Sequence, residues 1–388
     1  MKNILTLNKI AACGTDLFDQ ARYTVGDGLE NPVGILVRSA AMHEMDLPES
    51  VLAVARAGAG VNNIPVDRYG AEGVVVFNTP GANANAVKEL VLCGLLLASR
   101  KVTDGIAWAQ TLAGEGDAVG KLVEKGKNQF VGPEIFGKKL GVVGLGAIGG
   151  MVANAAVSLG MEVYGYDPYM SVQAAWGLKP SVHQIADVAD IFKTCDYITL
   201  HVPCLDSTKG MINAETIAMM KDGVRILNFA RGELVNNADM IAALASGKVA
   251  RYVVDFPSAE ILGVENVVAL PHLGASTPES EDNCAVMAAK QLIDYIENGN
   301  IVNSVNYPNV SGPRNTPCRV CILHKNEPGL IAQISAVMSE DKINVESMLN
   351  RSRKDLAYSI LDVDSVVSDA VIADVAAIEG VIRVRSIV

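Results

Sequence analysis

The chain predicts an α/β protein with two doubly wound parallel-sheet domains, a Rossmann-type nucleotide domain inserted in a flavodoxin-like one, followed by a C-terminal ferredoxin-like module. Three observations carry this expectation. Val, Ile, Leu and Ala dominate while aromatics make up only 5% of residues, the composition that buried parallel strands flanked by helices require. Short apolar runs alternate with helix-length spacers in two successive series. The residues after 317 change rhythm to strand, helix, strand, strand, helix, strand.

The first series has runs at 34–38, 52–56 and 74–77, a small parallel sheet. Val87–Ala98 then reads as a helix apolar on most faces, which predicts burial in a domain or subunit interface and a homodimer or homotetramer. The second series runs at 140–143, 161–166, 196–202, 224–229, 251–255 and 265–270. The stretch 306–317, rich in Asn, Pro and Gly, marks a linker. Beyond it come strand 319–324, a helix from Pro328, strands 344–350 and 356–363, helix 368–378 and strand 381–386. The expected domains are 1–98 with 281–316, 99–280, and 317–388; a length of 388 residues fits two or three cores.

Composition excludes several classes of function. A net charge of −11 with no Lys or Arg run argues against nucleic acid or an anionic membrane as partner, since both need a contiguous positive field. The N-terminus lacks a signal-peptide pattern, and the longest apolar run, Leu90–Ala98, is about half a membrane span. A cytoplasmic protein is expected. Seven cysteines, an odd number scattered along the chain, read as reduced thiols. Cys318 and Cys321 spell C-x-x-C, but no second pair or histidine cluster accompanies them, and metal is not expected.

The most informative motif is the run 140–149, in which a β-branched strand ends in Gly144-x-Gly146-x-x-Gly149. Gly144 permits the tight turn, Gly146 allows a pyrophosphate to approach the backbone, and Gly149 lets helix and strand pack. The amides near Ala147 and Ile148 open a helix whose N-terminus favours phosphate. Asp167 closes the next strand and suits a ribose hydroxyl; with no cation following it, a 2′-phosphate would be repelled, so NAD is expected rather than NADP.

Oxidising an alcohol with NAD also needs a base for the hydroxyl proton and a cation for an acid substrate. Of five histidines, His43 and His183 sit in polar spacers and His324 in the terminal module, which leaves His201 and His272 at carboxyl ends of strands. His272 has Glu260 upstream, and Arg231 follows another strand, supplying a fork that matches a carboxylate.

Together these segments resemble the D-isomer-specific 2-hydroxyacid dehydrogenases. The resemblance spans nearly the whole chain and rests on 56–64, 78–83, the glycine turn, 201–203, 228–232 and 271–277. It implies that Arg231 binds the substrate carboxylate, His272 carries the proton, Glu260 partners His272, and Asp255 meets the nicotinamide carboxamide. It also places His201, Pro203, Ala230 and Gly274 at the cofactor, and Arg56, Ala57, Gly58 and Asn78 at the substrate. The first domain is expected to close on the nucleotide domain. The chain departs from the family pattern at Ala147, where many members carry Arg, and in a short spacer between Glu260 and His272.

Within the family the likeness is to enzymes that oxidise D-3-phosphoglycerate to 3-phosphohydroxypyruvate, the first step of serine biosynthesis. A phosphorylated 2-hydroxy acid needs extra cations, for which Arg38 and Arg56 are the candidates, with Lys125 and Lys127 further off. A dehydrogenase of glyoxylate or hydroxypyruvate, and an NAD-sensing corepressor, are the alternatives. The terminal module resembles an ACT domain, which implies an L-serine effector at His324, Asn326 and Asn344; Asn326 before Pro328 also suits a helix cap.

Overall fold

The computed structural model describes residues 1–388, which divide into two compact units: Met1–Asn83 with Pro278–Val388, and Ala84–Thr277.

The first unit begins with a parallel sheet of β1 (Lys2–Leu7), β2 (Tyr23–Gly26), β3 (Gly34–Val37), β4 (Ala53–Arg56) and β5 (Val75–Phe77). Its order is β2-β1-β3-β4-β5, the flavodoxin-like winding. The strand runs read from sequence are β3 to β5. β1 and β2 escaped that reading because only Ile4 and Tyr23 of their residues are buried, so neither presents a continuous apolar run.

The second unit holds β6 (Lys139–Val143), β7 (Glu162–Tyr166), β8 (Val182–Gln184), β9 (Tyr197–Leu200), β10 (Val224–Asn228), β11 (Val249–Val254) and β12 (Val267–Ala269). All pairs are parallel, in the order β12-β11-β10-β9-β6-β7-β8. Strand order reverses between β6 and β9, which makes the carboxyl ends of these two strands the crevice where open α/β sheets take ligands. β8 is a three-residue edge strand with exposed side chains and carries no apolar signal.

The helix Ala84–Ser99 belongs to this second unit, not with residues 1–83 as the boundary at 98 implied. Val87, Val91, Leu95 and Ala98 share a core with Leu140, Val142 and Val152. Gly94 lies against Phe229, where a methyl group would come within 2.7 Å of the ring. Leu96, on the opposite side, is exposed.

The terminal module also belongs to the first unit. Its strands β13 (Cys318–Lys325), β14 (Val345–Arg353), β15 (Leu356–Val363) and β16 (Val381–Ile387) form an antiparallel sheet in the order β14-β15-β13-β16, the ferredoxin-like arrangement. One face, through Cys318, Val320 and Ile322, packs on Leu330, Ile334, Val371 and Val375 of two helices. The other, through Cys321, Leu323, Tyr358 and Ile360, joins the helix Pro278–Asn298 and residues Ile4, Leu36 and Phe77 of the parallel sheet in a single core. Cys318 and Cys321 therefore point to opposite sides of β13. No helix is long and apolar enough to cross a membrane.

Two arginines of the module grip the end of Pro278–Asn298. Arg319, fully buried, donates through Nε and Nη2 to the Asp362 carboxylate at 2.6 and 2.9 Å, and through Nη1 to Asn298 O at 2.8 Å and Gly312 O at 3.2 Å. Arg385 donates to Ile296 O at 3.0 Å and to Tyr295 O, with its guanidinium 4.7 Å from the Tyr295 ring. They satisfy the Ile296 and Asn298 carbonyls at the helix C-terminus and offset its negative pole. Arg319→Ala strands a buried carboxylate and is expected to cost about 3–5 kcal/mol, read as a fall in the urea midpoint. Arg351→Ala, on the exposed strand β14, is expected to change it by under about 0.5 kcal/mol.

Candidate active site

The glycine turn sits at the end of β6. Gly144 has φ +91°, and a Cβ there would lie 2.5 Å from His201 O. At Gly149 a Cβ would fall 1.9 Å from Gly144 O, so any side chain would push the helix off the strand. Gly146 faces nothing within 4 Å and precedes the helix Ala147–Ser158 with no side-chain cap on that helix's first amides. Open space, free amides and a positive helix pole suit a pyrophosphate. Ala147 adds no charge, so the backbone carries this contact.

Asp167 is hydrogen-bonded through both carboxylate oxygens. Its Oδ2 accepts from Leu145 N and its Oδ1 from Tyr169 N, both at 2.9 Å, which ties the end of β7 to the glycine turn. Beside it lies a largely apolar groove of about 420 Å³, lined by Leu145, Met170, Val172, Leu178 and Val182.

Of the two histidines left open by sequence, His201 is the poorer proton carrier. Its Nε2 pairs with Thr199 Oγ1 at 2.9 Å, and burial pushes its pKa down to about 4, so it stays neutral at ordinary pH. Pro203 O is held by the Thr208 hydroxyl at 2.6 Å.

His272 lies instead on a cavity of about 500 Å³ with Gly232, Asn237, Tyr252, Asp255, Phe256 and Ser258. Its backbone adopts φ +49°, an uncommon conformation for a residue with a side chain, and its ring centroid is 4.4 Å from that of Phe256. The Arg231 guanidinium stands 5.9 Å over the same phenyl ring. Phe256 is thus the platform on which both side chains are set. Asn228, fully buried at the end of β10, donates to Arg231 O at 2.8 Å and accepts from Ala230 N at 3.2 Å, fixing the turn that presents the arginine.

Asp255, directly after β11, is almost completely buried, with Oδ1 lacking any hydrogen-bond partner. Burial raises its pKa, while His272, the Gly274 amide and Arg231 draw it back. The wall of this cavity therefore carries a carboxylate oxygen left open as an acceptor. Glu260 is placed differently from the partnership with His272 that the resemblance implied. Its Oε2 accepts from Asn237 Nδ2 at 3.0 Å, and it makes no hydrogen bond to His272; with so short a spacer, the acid follows Ser258 toward Asn237, which also donates to Ser258 Oγ. Asn228 and Asn237 are site residues that the sequence reading passed over. An amide inside the apolar run 224–229 was the available sign of the first, and nothing marked the second.

In the first unit, Arg38, Arg56, Ala57, Gly58 and Asn78 gather at the carboxyl ends of β3, β4 and β5. Arg56 Nε donates to Arg38 O at 3.0 Å and its Nη1 to Gly60 O. Asn78 Nδ2 donates to Ala59 O at 2.6 Å, Thr79 N to Gly58 O and Ala57 N to Val37 O. Arg38 pairs with Glu281 at 2.5 Å. In the second unit, Lys125 is exposed and Lys127 pairs with Glu124.

In the terminal module, His324 is buried with Nε2 on Ser359 Oγ at 2.9 Å and Nδ1 on Lys325 O at 2.7 Å. Asn326 Nδ2 donates to Lys354 O at 3.0 Å and Asn344 O accepts from Asp364 N. Asn326 is not the helix cap. Gly329, at φ +83°, precedes a helix that starts at Leu330 rather than at Pro328, because Pro328 and Gly329 form the turn into it.

The burial of Asp255 has a stability consequence with a definite sign. A carboxyl whose folded pKa is raised adds stability while protonated and loses it as pH rises through that pKa. Asp255→Asn removes this loss, so its melting temperature should exceed the parent's by about 2–4 °C at pH 7, the difference vanishing below the ordinary carboxylate range. A variant less stable than the parent at pH 7 contradicts the burial cost.

Residues 94–274 match the family described as D-isomer specific 2-hydroxyacid dehydrogenase, NAD binding domain. The chain is 30% identical over 366 residues to D-3-phosphoglycerate dehydrogenase of Haemophilus influenzae, covering 91% of this chain and 85% of that one. It is 36% identical over 290 residues to the human protein of the same name, covering 72% of this chain and 51% of the human one. Among solved structures, NAD+-bound 3-phosphoglycerate dehydrogenase of Entamoeba histolytica superposes with a TM-score of 0.59 at 25% identity, over 78% of this chain and 98% of that one. D-mandelate dehydrogenase of Rhodotorula graminis shares the fold, with a TM-score of 0.65 at 24% identity over 80% of this chain and 99% of that one. The glycine turn, the reversed strand order and these likenesses agree: the chain belongs to the D-isomer-specific 2-hydroxyacid dehydrogenases and carries their NAD-binding domain.

Proposed function

We propose that this protein oxidises D-3-phosphoglycerate to 3-phosphohydroxypyruvate with NAD, opening serine biosynthesis. The observation that carries this reading is the likeness to relatives named for that substrate over 91% of the chain, joined to an arginine and a histidine set on one phenyl ring beside a buried acid. NAD, when bound, supplies the hydride acceptor. The residues of the chain do the rest. Gly146 and the amides opening Ala147–Ser158 take the pyrophosphate, Asp167 the ribose, and Asp255 the carboxamide. Arg231 grips the substrate carboxylate through its planar fork. His272, as neutral imidazole, accepts the hydroxyl proton while hydride leaves C2, and returns it to solvent or, in reverse, to the carbonyl oxygen. Glu260, held by Asn237, is the acid available to pair with the imidazolium that forms.

Arg38 and Arg56 are the proposed cations for the phosphate. The exposed side of Ala84–Ser99 at Leu96 is the proposed seat of a homo-oligomer, and the cytoplasm the proposed location. L-serine is the proposed effector at His324, Asn326 and Asn344. Because both ring nitrogens of His324 are already bonded, serine would have to replace Ser359 or the Lys325 carbonyl.

Purified protein with NAD and D-3-phosphoglycerate is expected to form NADH, followed at 340 nm. His272→Ala should lower kcat by about 10²–10⁴-fold while NADH binding persists. Near-parental turnover in that variant would remove His272 from its role, and brisk oxidation of D-glycerate or D-lactate with none of the phosphorylated acid would move the protein to a sister activity.

A further inference from the structure

Arg38 and Arg56 both lie at the carboxyl edge of the parallel sheet in the first unit, and a single carboxylate, Glu281, is paired with Arg38. Arg56 is committed to backbone carbonyls, those of Arg38 and Gly60. Burial lowers the pKa of Arg56, and the charge of Arg38 adds a smaller push in the same direction. The backbone following Arg38 is pinned by Asn8, whose Oδ1 accepts from Ser39 N at 3.0 Å and Ala40 N at 2.6 Å. Only the side chain of Arg38 has freedom, and its Nη2 meets Glu281 Oε1 at 2.5 Å.

Glu281 is held on a rigid support. It lies in the first turn of Pro278–Asn298, whose Ala285 backbone closes on Gly14 so tightly that a Cβ on the glycine would approach within 2.6 Å. Both partners of the pair are nearly half exposed. An ion pair of that kind shifts an equilibrium by no more than about five-fold, so a stronger anion can displace it. A phosphate monoester carries nearly twice the charge of a carboxylate and three acceptor oxygens for an arginine fork.

We propose that Glu281 is the resident counter-ion of an anion site built from Arg38 and Arg56, and that the phosphate of the substrate takes its place on Arg38. The proposal rests on the reading that the substrate is phosphorylated. Glu281 is then a residue that tunes specificity: it orients Arg38 when the site is free and competes with every anion that enters.

The test uses the full-length protein, Glu281→Gln, Arg38→Gln, the double variant, and Glu279→Gln, which removes the same charge from the same helical turn. Inorganic phosphate is titrated calorimetrically, and kcat/KM is measured for D-3-phosphoglycerate and D-glycerate. Glu281→Gln is expected to tighten phosphate binding about three- to five-fold and to raise the preference for the phosphorylated acid by a similar factor. Glu279→Gln should change either by less than about two-fold, and Glu281→Gln should have no effect once Arg38 is Gln. An equal gain from Glu279→Gln, or a gain that persists without Arg38, overturns the proposal, since it would reflect general charge alone; so does an unchanged or weaker phosphate affinity. If the phosphate titrations follow the expected pattern while the protein oxidises D-glycerate and ignores D-3-phosphoglycerate, the counter-ion stands and the substrate reading fails.

Discussion

The contact between Gly149 and the carbonyl of Gly144 is the constraint on which the second unit turns. With 1.9 Å to spare for a Cβ, only a residue without one lets the helix Ala147–Ser158 close on β6. That closure aims the helix's first amides into the crevice where the strand order reverses. Asp167 locks the turn from the far side through Leu145 N, so the residue proposed for the ribose also shapes the loop proposed for the pyrophosphate. The placing of the proposed reacting groups follows from the same sheet: β10 ends in Asn228, which presents Arg231, and β11 is followed by Asp255 and Phe256, against which His272 is laid.

The first unit is organised around one helix. Pro278–Asn298 has its C-terminal carbonyls held by Arg319 and Arg385 of the terminal module, and its first turn holds Arg38 through Glu281. Its middle shares a core with both sheets. The module and the arginines at the carboxyl edge of β3 and β4 are thus tied to the two ends of one helix.

Much of this was legible in the sequence because the chemistry demands particular residues at particular places. The glycine turn and Asp167 could be read because no other residue types satisfy a tight turn, a close approach and a ribose in that order. The βαββαβ order of the module was legible because its two central strands, β13 and β15, are long and buried on both faces. What stayed hidden depends on neighbours distant along the chain. β1 and β8 lack apolar runs, being half-buried or at an edge. The helix at 84–99 announced burial but not which unit would bury it. The partners of Glu260 and Arg38 lie 23 and 243 residues away, and spacing alone could not reveal that an amide holds one and a carboxylate the other.

The central claim is direct transfer of hydrogen from C2 of a D-2-hydroxy acid to NAD on this protein. Turnover of D-3-phosphoglycerate deuterated at C2, followed by mass analysis of the reduced cofactor, tests it most directly. The account predicts NADH carrying one deuterium from each substrate oxidised. Unlabelled NADH, with the deuterium recovered in water, would contradict it.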